Sequence, residues 1–188
     1  KAKLRHKGKD IIDFGMGNPD MPTPSHIREK LQETVNKPGT GRYSTSRGIP
    51  GLRKAQVSYY ERRFGVKLDP DKEVVVTLGS KEGLANLAQA ITSPGDIILS
   101  PNPSYPIHPY GFIIAGASLR HLPAMEDGQF NQELFLEKLD RAIRHSVPFP
   151  KAVIVSFPSN PTAQIVDLSF YEEVVKIGLK YNTFILSD

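Results

Sequence analysis

The sequence predicts an α/β protein with a mostly parallel sheet and flanking helices. Short apolar runs rich in β-branched residues alternate with segments of helical periodicity, the pattern of strands threaded between helices. The residues with chemistry follow directly on those runs. Gly79-Ser80-Lys81, the loop 101–105, Ser159-Asn160-Pro161 and Asp188 each stand at a predicted strand end, where ligands gather in parallel sheets. A composition of 39% hydrophobic and 23% charged residues over 188 positions supports a globular core.

In chain order, 10–14 alternates weakly and is expected to be a short strand. The stretch 15–24 is punctuated by glycine and proline and cannot be regular. Ser25 is expected to cap a helix over 27–36 with Leu31 and Val35 on one face. The segment 37–41 ends it and reads as a domain crossing, and 42–51 reads as a polar loop. A second helix is predicted over 52–64, stopped at Gly65. The run Val74-Val75-Val76-Thr77-Leu78 reads as a buried strand broken by Gly79, and 84–91 continues as a helix. A turn at 93–96 precedes a strand at 97–99, a proline-rigid loop at 101–106 and a segment at 107–115. Strands at 118–122, 152–157 and 183–186 enclose helices at 131–145 and 168–181. The first of these helices carries Leu134, Phe135, Leu139 and Ile143 as its apolar stripe.

Charge and composition exclude several function classes. The net charge of +4 is mild and spread along the chain. The basic cluster at 1–9 reads as a frayed end, and no base-reading motif accompanies it. The expected partners therefore include neither nucleic acid nor a membrane, since no apolar run is long enough to span one and no signal peptide is visible. The absence of cysteine removes disulfides and thiolate metal sites and fits a cytoplasmic protein.

The stretch 74–84 is the organising feature. A strand, a glycine turn and a helix start aim free backbone N–H groups at one point, and the helix dipole makes that point suit a phosphate. Ser80 adds a hydroxyl and Lys81 a point charge. Taken alone, the stretch favours an ordinary turn with Ser80 as N-cap and Lys81 in solvent. The aromatic, amide and carboxylate expected at the same sheet edge decide for the phosphate.

Five stretches carry a resemblance: Met16-Gly17-Asn18-Pro19-Asp20, Tyr43-Ser44-Thr45-Ser46-Arg47-Gly48-Ile49-Pro50, Gly79-Ser80-Lys81-Glu82-Gly83, Pro101-Asn102-Pro103-Ser104-Tyr105-Pro106 and Phe157-Pro158-Ser159-Asn160-Pro161-Thr162-Ala163-Gln164. In this order, ending on a strand-terminal aspartate, they resemble the fold-type I pyridoxal 5'-phosphate (PLP) aminotransferases of class I and II. Within these the chain is most similar to the bacterial alanine-forming (glutamate–pyruvate) enzymes, with LL-diaminopimelate aminotransferases as near relatives. The wider class usually has glycine where this chain has Ala163; the alanine-forming subgroup accommodates the difference.

The resemblance implies a PLP-dependent transferase fold, with 1–41 as N-terminal arm and part of a small domain and 42–188 as the first part of a large cofactor domain. It implies that Ser80 and Lys81 bind the cofactor phosphate, Tyr105 stacks on the pyridine ring, Asn160 donates to the phenolic oxygen, and Asp188 pairs with the ring nitrogen and keeps it protonated. Gly17 would leave room for the substrate carboxylate. Tyr43 would reach the phosphate of the neighbouring subunit's cofactor, which makes the protein a homodimer. The family's Schiff-base lysine and its carboxylate-binding arginine lie beyond the position of Asp188. The expectation is therefore an N-terminal portion that is inactive alone, with no catalytic residue of its own.

Bland roles remain open for these residues: a core tyrosine, a turn asparagine before proline, a strand-end aspartate. The expected activity is transfer of an amino group between an amino acid and a 2-oxo acid, alanine and 2-oxoglutarate first. A C–S lyase on the same fold and a non-catalytic module binding a phosphate ligand are the alternatives. A Rossmann dehydrogenase is disfavoured, because the glycine turn lacks G-x-G-x-x-G and Ser100 ends the next strand where an acidic residue is needed.

Overall fold

The computed structural model describes every residue of the chain except 16 and 18. Met16 and Asn18 of the first motif thus lie outside the described residues. The chain forms two compact units, Lys1–Thr45 and Ser46–Asp188.

The first unit holds two helices, α1 (Ala2–His6) and α2 (Ser25–Val35). The strand expected at 10–14 does not form. Its alternation is weak, and Asp13 turns its own backbone by accepting from the Gly15 N–H at 3.0 Å, a local bond that competes with a ladder. Helix α2 begins earlier than its capping pattern suggests. Pro24 is the N-cap and Ser25 is the first helical residue, with no side-chain cap.

The second unit opens with α3 (Pro50–Phe64), which has proline in its first turn and ends at Gly65 in the left-handed region (φ 69°), as glycine past a helix end does. Arg53 is the buried residue of α3. It donates to the carbonyls of Pro70 and Gly48 and to Asp71, and so ties two loops together. The Arg53 guanidinium holds the Asp71 carboxyl below its ordinary range. Gly48 (φ +81°) lies so close to Val76 that a Cβ would overlap that side chain.

The strand predicted at 74–78 is not formed either. Val74 and Val76 are half-buried, but Val75 and Leu78 face solvent, and no ladder partner lies beside the run among the described residues. Apolar β-branched residues favour a strand only where a neighbour completes its hydrogen bonds.

The core is a four-stranded parallel sheet in the order β2–β1–β5–β6, built from β1 (Ile97–Asn102), β2 (Ser118–Pro123), β5 (Ala152–Val155) and β6 (Phe184–Ser187). Period-two alternation sends successive side chains to opposite faces. Ile98, Ala152 and Ile154 pack with Ala88 of α4 (Ser80–Ile91) and Phe112 of α5 (Ile107–Ile114). Ile97, Leu99, Val153 and Val155 pack with Phe135, Leu139 and Ile143 of α6 (Gln132–Arg144) and Phe170 and Val174 of α7 (Leu168–Tyr181). Helices on both faces of a parallel sheet bear out the predicted class.

Two details were not expected. A hairpin joins β3 (Met125–Glu126) to β4 (Gln129–Phe130), its turn made by Asp127 (φ 48°) and Gly128 (φ 78°), the Asp-Gly pairing that two-residue hairpins favour. Asn131 then caps α6 through a 2.9 Å bond from the Leu134 N–H.

Candidate functional site

The carboxyl ends of β1, β5 and β6 lie side by side, so the loops that follow them share one edge of the sheet. Tyr105 stands on the β1–α5 loop. His108, in the first turn of α5, meets it edge to face with ring centroids 5.9 Å apart. His108 is almost wholly buried, and its Nε2 is 2.9 Å from Oδ2 of Asp188, whose side chain is 17% exposed. The Asp188 N–H donates to the Val155 carbonyl at 3.2 Å, which fixes the residue at the end of the β5–β6 ladder. The carboxylate is thus held at one oxygen by an imidazole and through its backbone by the sheet.

Lys81 reaches the same place from α4. Its ammonium lies 5.3 Å from the centroid of the Tyr105 ring, within cation–π range. Gly79 (φ 82°) is the N-cap of α4 and provides no side-chain bond; Ser80 is the first helical residue and is exposed. The reading of Ser80 as an N-cap is therefore corrected. The Glu82 carboxylate in the first turn instead accepts from the Leu78 N–H just before the glycine.

Asn160 follows β5 on an exposed turn and lines a pocket together with Tyr105, His108, Phe130 and Phe157. Of the residues singled out in the sequence, Lys81, Tyr105, Asn160 and Asp188 are thus linked through Tyr105 and His108, and Ser80 adjoins Lys81. Gly17 and Tyr43 belong to the first unit, where Tyr43 is fully exposed.

A scan against protein families finds the model described as aminotransferase class I and II over residues 9–188. The chain belongs to the class I and II aminotransferases.

Its relatives agree. Over its whole length this aminotransferase chain is 56% identical to AatC of Rhizobium meliloti, which bears an aminotransferase name, and 52% identical to the glutamate–pyruvate aminotransferase AlaC of Escherichia coli. It covers 45% and 44% of those two proteins, so the chain spans about half the length of the curated relatives it matches. Among solved structures it resembles apo-BacF from Bacillus subtilis (35% identity, TM-score 0.82) and the aspartate aminotransferase of Thermus thermophilus with maleate (28% identity, TM-score 0.85). Both likenesses span all of this chain and under half of theirs, 46% and 47%. The likeness to the Thermus aminotransferase bears out the fold-type I class that the sequence motifs implied.

His108 is the residue lining the site that sequence reasoning missed. It stands three positions after Tyr105, across the turn that opens α5, where its N–H donates to the Tyr105 carbonyl at 3.0 Å. That spacing is the signal that could have found it.

Proposed function

We propose that the whole protein is a PLP-dependent aminotransferase that moves an amino group between alanine and a 2-oxo acid, 2-oxoglutarate first. The observation that carries this reading is the meeting of Lys81, Tyr105, His108 and Asp188 at one sheet edge, in a chain of the aminotransferase family. The donor set suits the cofactor. Helix α4 starts without a side-chain cap, so its first N–H groups are free for a phosphate, with the Ser80 hydroxyl and the Lys81 ammonium beside them. Tyr105 offers an aromatic face to a pyridine ring, and Asn160 an amide donor to its phenolic oxygen.

Asp188 holds a proton on the ring nitrogen, because a charge-assisted bond favours the cationic ring. His108 keeps that carboxylate in place. PLP supplies an electron sink when bound. In the first unit, Gly17 leaves space for the substrate carboxylate. Tyr43 serves the phosphate of the neighbouring subunit's cofactor, so the working form is a homodimer. Residues 1–41 form the arm and part of a small domain, and 42–188 the start of the large one. A cytoplasmic setting fits a chain without cysteine.

Alanine is favoured because AlaC, at 52% identity, is named a glutamate–pyruvate aminotransferase. The aminotransferase names of the relatives favour amino transfer over C–S elimination. The test is to add PLP to the whole protein and then alanine with 2-oxoglutarate. The expected result is a cofactor absorbance band that alanine changes, and pyruvate that accumulates beyond one equivalent per site only while the oxo acid is present. Pyruvate released from cystathionine without an oxo acid would overturn the assignment in favour of a lyase.

A further inference from the structure

The loop after β5 closes on itself. The Ala163 N–H donates to the Ser159 carbonyl at 2.7 Å and the Ser159 N–H to the Gln164 carbonyl at 2.9 Å. The Gln164 N–H returns to Ser159 Oγ at 3.0 Å. Asn160 thus rides on a small ring of residues 159–164 whose shape is set within itself. Internal closure fixes the shape of this ring but not its position on the protein.

One side chain supplies that position. Gln164 Oε1 accepts the N–H of Phe130, 34 residues earlier on β4, at 3.1 Å, and its Nε2 donates to the Thr162 carbonyl at 3.4 Å. Phe130 also packs its ring on Phe157, with centroids 4.9 Å apart, and on Phe135 and Phe170. Aromatic packing brings the two walls together but tolerates sliding; a directed amide bond does not. Phe130, Asn160 and Tyr105 line one pocket, so the bond spans two walls of the site. Gln164 ends a sequence motif, and no role in the chemistry accounts for it.

We propose that Gln164 is a positioning residue: by fastening the Asn160 loop to the β3–β4 hairpin, it sets where the Asn160 amide stands beside Tyr105. The proposal rests on the reading that Asn160 donates to the phenolic oxygen of PLP. A donor there stabilises the ionised oxygen, so withdrawing it moves the pH midpoint of the bound-cofactor absorbance upward.

The experiment compares the whole wild-type protein with Gln164→Ala, Gln164→Glu and Asn160→Ala. It reads amide hydrogen exchange at Phe130 and the pH midpoint of the cofactor absorbance. Gln164→Ala is expected to lose protection at Phe130, by roughly two- to tenfold for a bond of ordinary strength. It should also raise the midpoint in the direction of Asn160→Ala by a smaller amount. Gln164→Glu keeps an acceptor for the Phe130 N–H and is expected to restore both toward wild type, which separates position from a general loss of folding. Unchanged exchange at Phe130 in Gln164→Ala overturns the proposal. So does an unchanged midpoint in Gln164→Ala while Asn160→Ala shifts it. If Asn160→Ala itself leaves the midpoint in place, Asn160 does not face the phenolic oxygen and the underlying reading falls with it.

Discussion

Replacing Gly178 by alanine should destabilise the protein, although the residue lies in a helix and alanine is the better helix former. Gly178 is in the last turn of α7, where the chain folds back into β6. A Cβ there would stand 2.6 Å from Ile185 Cδ1 and 3.0 Å from the Thr183 carbonyl oxygen. The isoleucine tip can rotate away. The carbonyl cannot, because the Thr183 N–H donates to the Gly178 carbonyl at 2.9 Å and locks the turn. Alanine gains up to about 1 kcal/mol of helix propensity in a helix interior and less at its end. Overpacking costs about 1–3 kcal/mol, so the net loss reaches about 2–3 kcal/mol at most. Urea denaturation of the whole protein is the assay, with Gly178→Ala placed in wild-type and Ile185→Val backgrounds. Removing Cδ1 should recover part of the loss, a coupling expected between touching groups. An increase in midpoint for Gly178→Ala would refute the reasoning, because propensity alone would then govern the turn.

Three other outcomes follow from the same geometry. Ala163 sits at φ +54° and is exposed. Glycine there relieves about 1–2 kcal/mol of left-handed strain against about 0.4–1 kcal/mol of added unfolded-state entropy, so Ala163→Gly should raise the denaturation midpoint slightly; a lower midpoint contradicts this. His108→Leu keeps the core filled but strips Asp188 of its buried partner, which should cost about 1–3 kcal/mol in denaturation experiments and weaken PLP binding by the whole protein; unchanged PLP affinity would dismiss His108 from the site. Asp140 is held below its ordinary range by the Tyr181 hydroxyl first, with Lys180 and Arg144 alongside. A lowered carboxyl stabilises the fold above its unfolded value of about 4 and loses that contribution as pH falls through its folded value. The deficit of Asp140→Asn measured at pH 7 should therefore shrink in the acid limb, and a deficit constant down to strong acid would contradict the assignment.

The sequence made the central sheet legible because the unbroken apolar runs Ile97-Ile98-Leu99 and Ala152-Val153-Ile154-Val155 dictate strands buried on both faces, and both runs have partners. It misled at 74–78 for the complementary reason: the composition of Val74-Val75-Val76 signals a strand, but strand formation also needs a neighbouring chain, which local composition does not encode. The hairpin at Asp127-Gly128 was written in the turn residues, yet its arms are two residues each and too short for periodicity to show. At the site, Tyr105, Asn160 and Asp188 stood out by following strands, and Ser80 and Lys81 by following a predicted strand that does not form. His108 and Gln164 act through partners 80 and 34 positions away, and separations of that size become visible only once the chain is folded.

The central claim is that the tips of β1, β5 and β6 and the start of α4 form a single cradle for one phosphorylated pyridine. A crystal structure of the whole protein grown with PLP tests it most directly. The expected result places the phosphate at the first turn of α4 beside Ser80 and Lys81, the ring against Tyr105, and the ring nitrogen on the Asp188 carboxylate that His108 holds. A cofactor bound elsewhere, or a ring nitrogen facing away from Asp188, would contradict it.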